Sequence, residues 1–419
     1  MLNATHTATS TALTPSAMTA GERKLSGSLA LVFALRMLGL FLILPVFAIE
    51  AQRYPGGNDP ALVGLVMGSY GMTQALQQLP FGWASDRWGR KPIILFGLLF
   101  FIAGSVLCAA SDSLYGLLAG RCLQGAGAIS AAITALLADG TREVVRTKAM
   151  ALIGISIGLM FALSLVLAPL LVGSIGFQGM FWLIAALGVG AFLLIGFVVP
   201  AQKQQRVQAA GDASWRVIWR QFTAAQTWRL NLGVFVLHAV QLAMWSAVPI
   251  MLVRDGLPKA EHWQVYLPAV LVSMLIMGGL LFRLERKGYL RAVFLSQIAL
   301  LVLVQLALFF SSTGSSLWET GFILFAFFCA FNMLEATQPS LVSRYAASDE
   351  RGTALGVYNT MQSIGLFVGG AAGGWLIKDF GMQGLFAVCT VALLLWLAAA
   401  WSMQAIASAE KVGIKKMQD

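Results

Sequence analysis

Charged side chains are scarce in this chain. They make up only 11% of its 419 residues, less than half the roughly 25% of soluble domains, while apolar residues make up 58%. With a mean hydropathy of +0.78, this composition excludes an ordinary water-soluble protein. The chain also has only three histidines and four cysteines. Cys108, Cys122, Cys329 and Cys389 all fall inside apolar runs without metal or redox spacing, so they read as free apolar thiols and no disulfide is expected. No nucleophile-base pair, metal-ligand cluster or phosphate loop is present in the sequence. That argues against a membrane enzyme and leaves no metal or organic cofactor to expect.

What the chain has in abundance is long apolar segments, at about 27–49, 62–84, 92–111, 114–138, 149–173, 177–199, 230–253, 264–282, 292–311, 317–343, 352–377 and 382–407. Each can cross a hydrocarbon layer as a helix, because only helices and closed barrels satisfy the backbone there. The expectation is an all-α polytopic membrane protein of twelve spans. With the N-terminus inside, 22 of the 28 Lys and Arg fall in cytoplasmic segments. Outside lie only Arg53, Arg254, Lys259 and Lys378, while Arg36 and Arg121 fall within spans. The net charge of +10 therefore reflects membrane orientation, and no nucleic-acid partner is needed to explain it.

Residues 1–25, rich in Thr, Ser and Ala without an apolar core, read as a disordered cytoplasmic tail and not a cleaved signal peptide. Two six-helix bundles, 26–200 and 229–408, flank a polar linker at 201–228, and 409–419 forms a short cytoplasmic tail. Within the linker, Trp215, Val217, Ile218 and Phe222 alternate with Arg216 and Arg220. They are either a short amphipathic helix on the membrane surface or a basic loop. An offset of 205 residues places Leu136, Leu137, Arg146 and Ala149 over Leu341, Val342, Arg351 and Ala354. Such a repeat fits a transporter whose substrate site lies between its halves.

The most informative stretch joins the second and third spans: Gly82, Asp86, Arg87, Gly89, Arg90 and Lys91 crowd into a reversal at the membrane surface. A generic basic turn explains the three cations but not Asp86 and two glycines at their spacing. The pattern resembles the G-x-x-x-D-R-x-G-R-K signature of the major facilitator superfamily, in the loop where that family carries it. Arg121 to Gly127 is similar to the R-x-x-x-G-x-G motif of its proton-driven drug-efflux branch, and Asp139 and Arg146 resemble that branch's next loop. Arg36 to Gly39 with Leu44 to Val46, Phe331 to Ala336 and Gly352 to Tyr358 resemble its YajR-type inner-membrane transporters. Such chains can carry an additional soluble C-terminal domain, and the expectation here is a chain without one. The efflux pattern of span five is reduced to Gly154, Gly158, Ala168, Pro169 and Gly173.

The resemblance implies the superfamily fold, two pseudo-symmetric six-helix bundles. It also implies a conformational gate in which Arg90 pairs with Asp139 while Asp86 lies near the start of span eleven, around Arg351 to Thr353. Inside the spans, Glu335 is the only acid far from a span end, so it is the first candidate for proton coupling. The competing reading is a static hydrogen bond to Asn332 or Gln338. Arg121 either tunes a neighbouring acid or substrate, or is satisfied by carbonyls in helix packing. His238 is either a titrating group or a packing residue. Arg36, Gln74, Gln78, Gln241, Trp245, Asn332 and Gln338 are candidates to line a substrate cavity.

These observations point to a secondary active transporter in a bacterial inner membrane, with both termini cytoplasmic. It would act as a monomer with a small-molecule substrate and the lipid bilayer as partners. The expected activity is proton-coupled efflux of small amphipathic compounds by alternating access, with the proton gradient as energy source. A uniporter or proton symporter for a defined polar metabolite is the alternative, and a non-transporting receptor a distant one.

Overall fold

Thr19 and Glu22 determine where the first helix begins. The Glu22 N–H donates to the Thr19 hydroxyl at 3.2 Å and the Thr19 N–H donates to the Glu22 carboxylate at 2.8 Å, a reciprocal cap. In the computed structural model, which describes residues 17–199, 215–286, 289–314, 316–346 and 350–403, helix α1 therefore runs Ala20–Phe41. Helical order starts before residue 25, the boundary expected for the tail. The reason is long-range: the Glu22 carboxylate accepts Nε of Arg142 at 2.9 Å and the Arg142 backbone N–H at 3.0 Å.

The first span is interrupted before Pro45 and resumes as α2 (Leu44–Glu50). Asp59 caps α3 (Pro60–Trp88), with Pro60 in the first turn, where a missing N–H costs nothing. Gly89 alone separates α3 from α4 (Arg90–Ala109), at a φ of 98° that favours glycine. The fourth span, expected as one helix, divides into α5 (Leu114–Ala126) and α6 (Ser130–Asp139) around Gly127. Long α7 (Glu143–Leu193) continues through a π-helical turn, Leu194–Val198. Helix α8 (Trp215–Thr223) lies in the region expected to link the halves, whose residues 201–214 are outside those described. Then follow α9 (Thr227–Arg254), α10 (Trp263–Arg286), α11 (Leu290–Ser311), α12 (Leu317–Tyr345) and α13 (Arg351–Trp401).

Among the described residues, nine helical segments are long and apolar enough to span a membrane. Two of them double back. Helix α7 breaks at Gly176 (φ 74°) and α13 at Gly381 (φ 68°). Beside α1, Ser156 lies on Ala30 and Phe161 on Phe41, whereas beyond the break Ile184 lies on Gly39 and Gly190 on Leu35, so the second limb runs the opposite way. Counting both limbs of each, and adding the more polar α3, gives the twelve crossings expected from the sequence. Gly176 and Gly381 are 205 residues apart, the offset at which the halves align.

The halves meet most closely along α3 and α13. A Cβ added at Gly64, Gly68 or Gly71 would come within 2.2, 2.6 or 2.5 Å of the carbonyl oxygens of Gly370, Phe367 and Ser363. Small residues allow that backbone approach where lipid offers no hydrophobic drive to association. Aromatic contacts continue the interface to mid-depth, where Phe161 of α7 meets Phe328 and Phe331 of α12. The bundle thus has a base-rich end, carrying the Gly89 turn, and a base-poor end, carrying Glu50 and Asp59.

Candidate functional site

At the base-rich end the Gly89 turn aims Arg90 back at its own half. Arg90 Nε lies 3.1 Å from Asp139 Oδ2 at the end of α6, while its Nη1 pairs with Asp86 and donates to Ser85 Oγ at 2.8 Å. The fork of the guanidinium thus joins the ends of α3 and α6. Lys91 points elsewhere, its Nζ donating to the carbonyls of Gly196 and Val199 at 2.9 and 2.8 Å. It satisfies the exposed end of the sixth span. Arg87 lies over the Trp83 ring at 5.6 Å, and Arg146 is exposed. Gly82 has open space where a Cβ would sit, so close packing does not explain that glycine. The side chain of Arg351 lies outside the described residues. Glu350 beside it pairs with Arg220 and accepts from Gln221 Nε2 at 2.9 Å, tying α8 to the start of α13.

Deeper in the first half, Arg36 and Arg121 converge on Tyr70. Arg36 is fully buried and donates to the Tyr70 hydroxyl at 2.7 Å, Ser130 Oγ at 3.1 Å and the Gly127 carbonyl at 3.2 Å. The break at Gly127 turns a backbone carbonyl towards this guanidinium. Arg121 donates to Gln124 Oε1 at 3.0 Å and stands 5.0 Å above the Tyr70 ring. One expectation is corrected and one pair of alternatives narrowed. Arg36 does not line an open cavity but clamps three helices, and the partners of Arg121 among the described residues are an amide and an aromatic face, not an acid.

The second half holds the other cluster. His238 Nδ1 lies 3.0 Å from the carbonyl of Val234, one turn back on α9. A ring N–H directed at that carbonyl leaves Nε2 of the neutral imidazole bare. Facing it are Gln362 Nε2 at 2.7 Å and Glu335 Oε2 at 3.4 Å, and Gln362 also donates to Glu335 Oε1 at 3.4 Å. Phe331 closes the imidazole side at 5.9 Å. The static partners suggested for Glu335 are not those found: Asn332 donates to Ser273 Oγ at 2.8 Å, and the Gln338 amide has no described hydrogen bond.

The remaining cavity candidates divide by exposure. Gln74 and Asn332 are half-buried, whereas Gln78, Gln241, Trp245 and Gln338 are buried, so they do not line an open cavity in this arrangement. Trp245 packs on Tyr266 at 5.4 Å and borders an apolar recess with Met244, Val248, Leu324, Phe327 and Phe328. Sequence reasoning missed Tyr70, Ser130 and Gln362, neutral residues of common type whose partners lie far away in the chain. The signal for Tyr70 and Ser130 was the cost of two arginines within spans, which requires acceptors somewhere.

The Major Facilitator Superfamily matches this chain over residues 29–370 and 284–416. The chain is 40% identical over 387 residues to the inner membrane transport protein YajR of Escherichia coli strain K12, covering 92% of this chain and 85% of that one. It is 30% identical over 179 residues to the multidrug resistance protein MdtL of Shigella dysenteriae serotype 1, covering 38% of this chain and 46% of that one. Among solved structures, a bacterial homologue of the human lysosomal transporter Spinster, inward-facing and occupied, superposes with a TM-score of 0.72. It is 14% identical, with 92% of this chain and 97% of that one covered.

Proposed function

Since this chain belongs to the major facilitator superfamily and is a multi-pass membrane transporter, not an enzyme, we propose that it couples proton movement to efflux of small amphipathic compounds. The observation that carries this reading is the contact of His238, Glu335 and Gln362. With its Nδ1–H directed at the Val234 carbonyl, His238 has Nε2 as an acceptor beside a carboxylate oxygen, so one proton arriving between Nε2 and Oε2 converts the pair into a hydrogen-bonded unit. Gln362, hydrogen-bonded to both in the proton-free arrangement, turns its amide away when the proton is shared. The similarity to a multidrug resistance protein over 38% of this chain supports several substrates over a single metabolite.

In this reading the base-rich end is cytoplasmic, which the distribution of Lys and Arg supports, and the chain works as a monomer. The cytoplasmic gate lies at this end, where Asp86, Arg90 and Asp139 brace the first half's side of it, with Arg87, Lys91, Arg146 and Arg351 around it. Gly89 supplies the turn that delivers Arg90. Arg121 and Arg36 hold the first half rigid while the second half carries the proton. The test is reconstitution in proteoliposomes, after a ligand-stabilisation screen on purified protein has identified a substrate. Proton efflux from the vesicle lumen that is stoichiometric with substrate entry supports antiport. Saturable substrate movement without proton flux would instead make the protein a uniporter.

A further inference from the structure

The four basic residues left outside by the charge distribution, Arg53, Arg254, Lys259 and Lys378, are all engaged with acids at the base-poor end. Arg53 pairs with Glu50 at 3.0 Å inside the first half, and Arg254 with Asp255 at 2.9 Å inside the second. The other two cross between halves. Lys259, before α10, pairs with Glu50 at the end of α2, and Lys378 of α13 lies 3.0 Å from Asp59 at the start of α3.

We infer that Glu50–Lys259 and Asp59–Lys378 form the gate of the base-poor end, whose rupture is the first step of opening there. The inference rests on the alternating-access reading but on no part of the proton-coupling reading. Each acid is built to survive the loss of its lysine. Glu50 is fully buried and holds two cations, so when Lys259 leaves, Arg53 of the same half still compensates the charge. Asp59 divides its oxygens: Oδ1 accepts the Ala61 N–H at 3.0 Å and caps α3, and only Oδ2 faces Lys378. The cap remains when the lysine withdraws, so opening does not fray the helix. Below these pairs, Gly374 lies on Pro60 and Gly370 on Gly64, where a Cβ would come within about 3 Å of the facing backbone. Backbones in such contact separate as rigid surfaces, and the ion pairs sit at the rim where separation begins.

The test places spin labels at exposed Asn58 and Glu261, on opposite halves at this end, in full-length protein whose four cysteines are replaced by alanine. The parent should show mainly a short distance. Lys259→Gln with Lys378→Gln should raise the ratio of long to short distances about ten-fold, while Arg53→Gln, which removes the cation that stays with Glu50 when Lys259 leaves, should not raise it. An unaltered distribution in the double variant overturns the gate. So does an equal shift in Arg53→Gln, which would assign the effect to surface charge in general. Should the double variant not elute as a folded species, each single lysine variant is read instead, with a smaller shift expected from both and none overturning the gate.

Discussion

Nε2 of His238 and Oε2 of Glu335 stand 3.4 Å apart between α9 and α12, with the Gln362 amide hydrogen-bonded to both residues. The contact joins, within one half, an imidazole and a carboxylate nearly 100 residues apart in sequence, the imidazole buried and the Glu335 side chain 38% exposed. Neither residue alone distinguishes a packing role from proton exchange, whereas the pair provides a place for one shared proton.

Replacement of Glu335 by Gln preserves shape and removes the ionisable oxygen. With one proton exchanged per substrate, a one-unit pH gradient supports about ten-fold accumulation, equivalent to about 1.4 kcal/mol. In Glu335→Gln the accumulation ratio should fall to about one, while the protein remains monodisperse in detergent. Retention of ten-fold accumulation in vesicles would remove Glu335 from the coupling step.

Arg90 carries both Asp86 and Asp139, so the gate is tested by reversal. Asp139→Arg should slow transport, and adding Arg90→Asp should partly restore it. The pair is partly exposed, so the effect on the balance of states should stay within about 1 kcal/mol, roughly five-fold. Initial rates in the single and double variants provide the check, and a stable double variant without rescue would dissolve the pairing.

Tyr70→Phe keeps the ring beneath Arg121 and removes the hydroxyl that accepts from Arg36. A buried guanidinium that loses an acceptor should destabilise the fold by about 1–3 kcal/mol. Thermal unfolding in detergent should show a clear drop for Tyr70→Phe, while Tyr115→Phe, at an exposed ring, should behave as the parent.

Gly64→Ala places a methyl group 2.2 Å from the Gly370 carbonyl oxygen. Overpacking of this kind costs about 1–3 kcal/mol, and here it acts only when the base-poor end is closed. The variant should therefore favour the state open at that end, read by faster labelling of a cysteine placed at Ser246, which packs on Met67 across the interface.

The Asp59 carboxyl is held below the usual carboxylate range, chiefly by its hydrogen bond from Lys378. A lowered folded value means the pair contributes fully above the ordinary Asp value of about 3.9 and is lost only as pH falls through the lower one. The distance between labels at Asn58 and Glu261 should thus be unchanged from neutral pH to about pH 5 and lengthen only below the ordinary Asp value.

Much of this protein was legible in the sequence because membranes impose strong, local rules. Twelve apolar runs, one-sided Lys and Arg, and the Gly82 to Lys91 turn each follow from a few adjacent residues meeting lipid, headgroup or water. The shared 205-residue offset was visible in four matched positions, and the breaks at Gly176 and Gly381 repeat it in backbone conformation. Helix ends were less legible. Glu22 starts α1 early because Arg142, 120 residues away, holds its carboxylate, and no local pattern announces that.

By itself, then, the sequence determined that this is a membrane-embedded helical transporter of the major facilitator superfamily, and which few charges it carries into or across the bilayer. Only the tertiary structure decided what those charges meet: Arg36 and Arg121 gather on Tyr70, His238 meets Glu335, and Glu50 and Asp59 reach lysines of the other half. Crossing a membrane depends on composition along the chain, but a buried charge needs a partner at bonding distance, and only helix packing brings residues that distant in sequence together.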